Sequence, residues 1–237
     1  MPELPKLTSL HVSSLGSIPA NQISSDLPTI MTYDQPITIH AKPETNLWRK
    51  PPFPEINNAP TLLIPTPINI HRFKSVRVTV SGNWNTSYDQ GGLVLFIPDE
   101  GAMKWVKTGI ECVEGKPCVG IVGTRRYSDW SLVPLEEKDG GKVTIQVERE
   151  VEDGNKVDSL WVYIVNKETG EKMGVRQANW FFKHDILDQK VTPDSEKNRS
   201  VLIGVYAARP RVPAGEGREN EELVVKLEDF EVKLFDE

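Results

Sequence analysis

The chain has 237 residues, 38% hydrophobic and 26% charged, with a formal net charge of −6 and a pI near 5.4. That balance supports a packed core and excludes global disorder. The acidic surplus argues against a nucleic-acid partner, which needs a basic stripe to displace counterions, and against an anionic membrane surface.

In chain order, residues 1–28 are rich in Ser and Pro and show no sustained period. They read as an irregular N-terminal arm ahead of a single domain over 29–237. The opening "MPELPKLTSLHVSSLGSIPA" lacks the basic start and apolar stretch of a secretory signal. No apolar run approaches the roughly 20 residues that span a bilayer, so the expected location is cytoplasmic. In that compartment the sequons at Asn85 and Asn198 carry no weight. Residues 43–69 hold seven prolines. Proline removes ladder donors and fixes φ, so this segment reads as extended irregular chain with short edge strands at most.

From residue 74 onward strands dominate. "KSVRVTVSG" puts Val76, Val78 and Val80 on one face, and "KVTIQVERE" puts Val143, Ile145 and Val147 inward with Thr144, Gln146 and Glu148 outward. "GLVLFI" is apolar on both faces, as in a strand covered on both sides. "VDSLWVYIV", "VRQANWFF", "SVLIGVYAA" and "ELVVKLEDFEVKLF" follow, many of them separated by turn sequences such as "VEGKP", "EDGNK" and "PAGEG". Only "HDILDQK" (184–190) suits a helical turn or two. The pattern predicts an all-β fold of two packed antiparallel sheets, a sandwich or jelly roll, with no internal repeat.

Cys112 and Cys118 flank "VEGKP", close enough for a hairpin disulfide to be conceivable, but two buried thiols are expected in a reducing compartment. Two cysteines and four scattered histidines show no metal-ligand spacing, and no cofactor-binding motif is present; no metal and no cofactor are expected.

The strand "KWVKTGIEC" carries the sharpest functional signal. Alternation puts Val106, Thr108, Ile110 and Cys112 on one face and Trp105, Lys107, Gly109 and Glu111 on the other. The first set suits the space between sheets; the second suits a concave face bearing a ligand. Lys107 and Glu111 lie about 13 Å apart by strand rise, so they border one ligand rather than pair. Arg176 and Trp180, Trp161 and Tyr163, and Tyr206 are further candidates for this face. Tyr88, Asp89, Gln90, Asp129 and Trp130, in the turn-like "YDQGG" and "SDWS", are candidates for its rim. Aromatic rings beside charged forks suit sugars, with ring faces for C–H surfaces and polar forks for hydroxyls. For any single residue the plain alternative is a core aromatic or a solvated charge, and for Asp89 and Asp129 a turn bonding its own backbone.

"NLWRKPP", "YDQGGLVL", "WVKTGIE", "SDWSLVP" and "GVYAARP", in that order, resemble a microbial family of concanavalin A-like proteins named for regulation of enolase. The resemblance covers about residues 43–235. It implies a jelly roll with one concave face, a cytosolic protein linked to glycolytic regulation, and no settled catalytic activity. It carries Tyr88, Asp89, Gln90, Trp105, Lys107, Glu111, Asp129 and Trp130 as site positions without assigned roles.

The preferred reading is therefore a module that binds a carbohydrate or sugar-like small molecule on the concave face. An enzyme on the same face is the first alternative: a glycosidase, lyase, isomerase or cyclase. It would use Glu111 or Asp89 as acid or base and Lys107 or Arg176 to stabilise charge. A retaining glycosidase is disfavoured because the strand offers no second carboxylate near Glu111. The second alternative is a protein-interaction regulator acting through the proline-rich strap or the arm.

Overall fold

Alternating β-branched residues build the two central strands of one sheet. In the computed structural model, which describes residues 8–9, 27–33, 35–98, 103–136, 139–184 and 199–236, strand β8 (Phe73–Gly82) buries Val76, Val78 and Val80 against the core, and β13 (Lys142–Glu152) buries Val143, Ile145 and Val147. Around them lie β2 (Ile30–Tyr33), β3 (Ile37–Ala41), β14 (Asn155–Val165), β15 (Lys172–Ala178) and β17 (Leu223–Leu234). They form a seven-stranded sheet in the order β15-β14-β13-β8-β17-β2, with β3 also pairing β17.

The facing sheet has eight strands: β1 (Thr8–Ser9), β6 (Thr61–Leu63), β7 (Ile68–Asn69), β9 (Gln90–Ile97), β10 (Lys104–Val113), β11 (Lys116–Thr124), β12 (Ser128–Pro134) and β16 (Ser200–Ala208). Its order is β1-β6-β16-β9-β10-β11-β12, with β7 also pairing β16. Every named pair in both sheets is antiparallel. Two hairpins close through two-residue turns whose residues both have positive φ, Glu114–Gly115 and Asp153–Gly154. This is the turn geometry that matches strand twist, and it explains "VEGKP" and "EDGNK". No α-helix occurs among the described residues.

The main core fills the space between the sheets. Val106 and Ile110 of β10 face into it, as alternation requires, and β9 is buried along its whole length. A second apolar cluster lies on the other side of the eight-stranded sheet, where Val94, Phe96, Trp105, Val122, Leu202 and Tyr206 pack against Leu47 and Leu63. The proline-rich segment supplies its cover, a hairpin of β4 (Leu47–Trp48) and β5 (Ile56–Asn57). The outer face of this sheet is therefore roofed over part of its area.

One expectation changes. Cys112 stands opposite Pro117 and Cys118 opposite Glu111, so the two side chains point to opposite faces of the hairpin. Both are free thiols, but only Cys112 is buried. Thr144 points outward as expected and is buried there, its hydroxyl bonded to that of Thr79 at 2.9 Å. Most of the arm expected over 1–28 and of the helical stretch at 184–190 lies outside the described residues; the arm's Thr8–Ser9 pairs with β6 as a strand.

Candidate functional site

The cross-strand register decides which side chains meet on the outer face of the eight-stranded sheet. In β9, Gln90 stands opposite Glu111, Val94 opposite Lys107 and Phe96 opposite Trp105. In β11, Val122 stands opposite Lys107, and Trp130 of β12 opposite Val122. Tyr206 of β16 stands opposite Gly92, itself opposite Gly109. Successive side chains alternate, so Gln90, Lys107, Glu111, Trp130 and Tyr206 share one face with Trp105. The glycines allow close strand approach: a Cβ on Gly109 would lie 2.0 Å from the Gly91 carbonyl oxygen.

The β4–β5 hairpin pins itself to this face through side chains. Lys107 Nζ donates to the Leu47 carbonyl at 2.8 Å and to Gln90 Oε1 at 2.5 Å. Trp105 Nε1 donates to Glu55 Oε1 at 3.1 Å, and Arg49 holds both oxygens of Glu55. The backbone N–H of Arg49 donates to Ser128 Oγ, and that of Ser128 to the Arg49 carbonyl, each at 2.9 Å. The Lys107 ammonium also lies within 5.9 Å of the rings of Trp48, Trp105 and Tyr206, where ring quadrupoles stabilise a cation. Burial (2% exposed) nevertheless pulls its pKa down to about 8, against the opposing charge of Glu111. Trp105, only 1% exposed, is thus a floor residue under the strap and not an accessible platform.

Beyond the hairpin the face opens at Glu111. The residue is buried (7% exposed), and its carboxyl accepts the Trp130 indole N–H at 2.9 Å. Burial raises its pKa above the usual carboxylate value, opposed by Lys107 and the indole bond. Trp130, 37% exposed, meets Trp48 edge-on at 6.5 Å and Tyr88 at 6.3 Å. The Arg211 guanidinium sits 5.7 Å from the Tyr88 ring. Tyr88 itself has φ of +71°, a left-handed conformation unusual for a bulky residue. Its N–H bonds the Cys112 carbonyl at 2.6 Å, and its carbonyl accepts the Gln90 amide at 3.2 Å. The result is a candidate mouth: Trp130 on the Glu111 carboxyl, the rings of Trp48 and Tyr88 packed against Trp130, and Gln90 and Lys107 on the same face.

The remaining expected residues lie elsewhere. Asp89 is not at the rim. It is fully buried in a two-pronged ion pair with Arg209, both bonds at 2.8 Å, and also caps the backbone N–H groups of Asn85 and Thr86. Register puts Asp129 and Ser131 on the inward side of β12. There Arg176 reaches them across the open edge of the sandwich at 2.5 and 2.8 Å. Trp180 stands beside them, 3.1 Å from where a Cβ on Gly123 would be. Asp129, Arg176 and Trp180 therefore form an edge cluster apart from the mouth. Trp161 and Tyr163 belong to the outer face of the opposite sheet.

Sequence reasoning did not place Trp48, Glu55 or Arg211 at the site. The available signal for Trp48 was its setting: a tryptophan inside a proline-rich segment is costly to leave wet and has to find a face to cover. Among the described residues, no group of three or more His, Cys, Asp or Glu is placed to hold a metal ion, and no helix is long and apolar enough to cross a membrane.

Two antiparallel sheets packed face to face, with a polar cluster on the outer face of one, make this a concanavalin A-like jelly roll. Within that class, the chain belongs to the family described as protein of unknown function DUF1349, whose model matches residues 27–234. It is 38% identical over 200 residues to an uncharacterized protein of Emericella nidulans, covering 84% of this chain and 86% of that one. Among solved structures it resembles a functionally unknown protein from Saccharomyces cerevisiae, with a TM-score of 0.63 and 21% identity over the whole of both chains. It also resembles the laminarinase catalytic domain of Thermotoga maritima (TM-score 0.50, 8% identity, 91% of this chain and 82% of that one). A glycoside hydrolase family 43 protein of Bacillus licheniformis aligns with a TM-score of 0.52 at 13% identity, over 83% of this chain and 32% of that one. At these identities the likenesses establish the fold alone.

Proposed function

We propose that the chain is a binding module for a carbohydrate or sugar-like small molecule, taken at the mouth framed by Trp48, Tyr88 and Trp130. The observation that supports this most is a cluster of three rings in which Trp130, bonded to the Glu111 carboxyl, is flanked by Trp48 and Tyr88. Ring faces match the C–H surface of a pyranose, and a carboxyl anchored by an indole N–H accepts hydroxyl protons in a fixed direction. Gln90 and Lys107, locked to each other and to the strap, hold the floor rigid, which lowers the ordering cost of binding. A sugar-sensing module of this kind accords with the link to carbohydrate metabolism that the sequence resemblance implies.

Saturation-transfer NMR and calorimetry against a panel of mono- and disaccharides test the proposal. Wild type binds at least one sugar, and Trp130→Ala weakens it at least tenfold, about 1.4 kcal/mol. A panel that gives no saturation transfer at millimolar concentration overturns it.

A second reading, acid–base catalysis on the bound ligand, draws on the opposed pKa shifts of Glu111 (up) and Lys107 (down to about 8) in one enclosed cluster. A retaining glycosidase is the weaker form of it. Asp89 is committed to Arg209, and Glu55 to Arg49 and Trp105, so neither is free as a second catalytic carboxyl. Under this reading Glu111→Gln abolishes turnover while sugar affinity changes by only a few fold.

A further inference from the structure

The opposite side of the molecule carries a surface that the mouth does not explain. Trp161 and Tyr163 occupy alternate positions of β14 on the outer face of the seven-stranded sheet, both half-buried, with ring centroids 5.9 Å apart and planes inclined by 26°. Alternation along an exposed strand does not require two such rings; a solvated face is normally built from polar residues.

Both rings are held in place. The Trp161 indole N–H donates to Glu150 Oε1 at 2.8 Å, and the other oxygen of Glu150 accepts the Gln177 amide at 2.8 Å. Lys172 Nζ sits 4.8 Å from the Tyr163 ring and is fixed by Glu148 at 2.6 Å. Across the strand pair, Tyr163 faces Gly174, which is exposed. A Cβ there would lie 3.2 Å from Trp161 and 3.5 Å from Tyr163. A side chain there would cover both rings from one side, and glycine leaves that side of them bare.

From Lys172 a groove of about 1200 Å³ continues past Thr144 and Lys142 to Leu135, Glu136 and Asp139 and to the loop at 166–171. Its cations are matched: Lys142 pairs with Glu228, Lys167 with Asp229 and Lys172 with Glu148. Four further carboxylates line it, Glu136, Asp139, Glu168 and Glu171, and this negative surplus disfavours an acidic polymer or a nucleic acid, while the hydroxyl, amide and carboxylate groups suit a polyhydroxylated ligand that carries no acidic groups.

The geometry points to a second ligand surface here, one that takes a neutral oligosaccharide chain. Its sugar rings rest on Trp161 and Tyr163, and its hydroxyls bond Glu150, Gln177 and the groove beyond. The surface lies on the other sheet from the mouth and does not depend on it.

Affinity electrophoresis in gels containing laminarin, xylan or alginate tests the proposal. Wild type is retarded by at least one of the neutral polysaccharides and not by alginate. Trp161→Ala and Tyr163→Ala lose the retardation, at least tenfold in apparent affinity. Gly174→Val, at an exposed position whose new side chain presses on both rings, loses it as well. Trp130→Ala, which alters the mouth, retains it. The proposal is overturned if wild type migrates as in a polysaccharide-free gel, if alginate alone retards it, or if Gly174→Val and Trp161→Ala bind like wild type. It is equally overturned if only Trp130→Ala loses binding, since the polysaccharide then belongs to the mouth.

Discussion

Replacing Asp89 by asparagine removes one charge and almost no volume, at the most enclosed ion pair near the site. Both Asp89 and Arg209 are 0% exposed. Four donors converge on the carboxylate: Arg209 Nε and Nη2 at 2.8 Å, and the backbone N–H groups of Asn85 and Thr86 at 3.1 and 3.0 Å. An amide presents an N–H₂ where one of these oxygens stood, so at least one donor meets a donor. The guanidinium then stays buried with only Glu221 as counterion, 3.7 Å away and partly exposed. Leaving a buried charge without its partner costs about 3–5 kcal/mol. For a chain of this size that is a fall in Tm of about 6–20 °C. Urea denaturation followed by tryptophan fluorescence measures the loss, with the m-value unchanged. A companion pair, Asp89→Leu with Arg209→Met, removes both charges and is expected to be less destabilised than the two single variants summed. A cost below about 1 kcal/mol for Asp89→Asn refutes the reasoning, because the pair would then be no better than a solvated one.

Lys107 is held near 8 in the folded chain against 10.5 for an ordinary lysine. Between those values the unfolded chain binds a proton that the folded chain has released, so stability rises with pH through that window, by up to about 1.4 kcal/mol per pH unit. Lys107→Met lacks this rise; urea midpoints of the two proteins from pH 7 to 11 are expected to diverge, and parallel curves refute the shift. At Gly109 a methyl group would press on backbone only, 2.0 Å from the Gly91 oxygen and 2.7 Å from the Gly92 Cα. Gly109→Ala is expected to cost more than about 4 kcal/mol; a thermal melt near that of wild type contradicts this.

The strands and the two-sheet class were legible because alternation is a local signal: Val76, Val78 and Val80 bury as their spacing requires. The split of "KWVKTGIEC" into a core face and a site face was legible for the same reason. Which strands share a face was not, because it depends on sheet membership. Arg176 and Trp180 have the composition of site residues, yet β15 belongs to the other sheet and turns Arg176 inward toward Asp129. Asp89 reads as a turn residue or an acid until Arg209, far away in sequence, is placed beside it. The roof over Trp105 was hidden because proline-rich chain carries no period that announces what it covers.

The bond from Lys107 to Leu47 joins residues 60 apart, and that from Arg209 to Asp89 joins residues 120 apart. The mouth consequently has no local precursor: Trp48, Tyr88 and Trp130 meet only across segments far apart in sequence. Loops of this span close only at an entropic cost, and topologies dominated by such contacts fold in milliseconds to seconds rather than microseconds. The proposed recognition is thus tied to long-range pairing, and the emission of Trp48 and Trp130, whose rings meet only once those segments have paired, marks the moment at which it can begin.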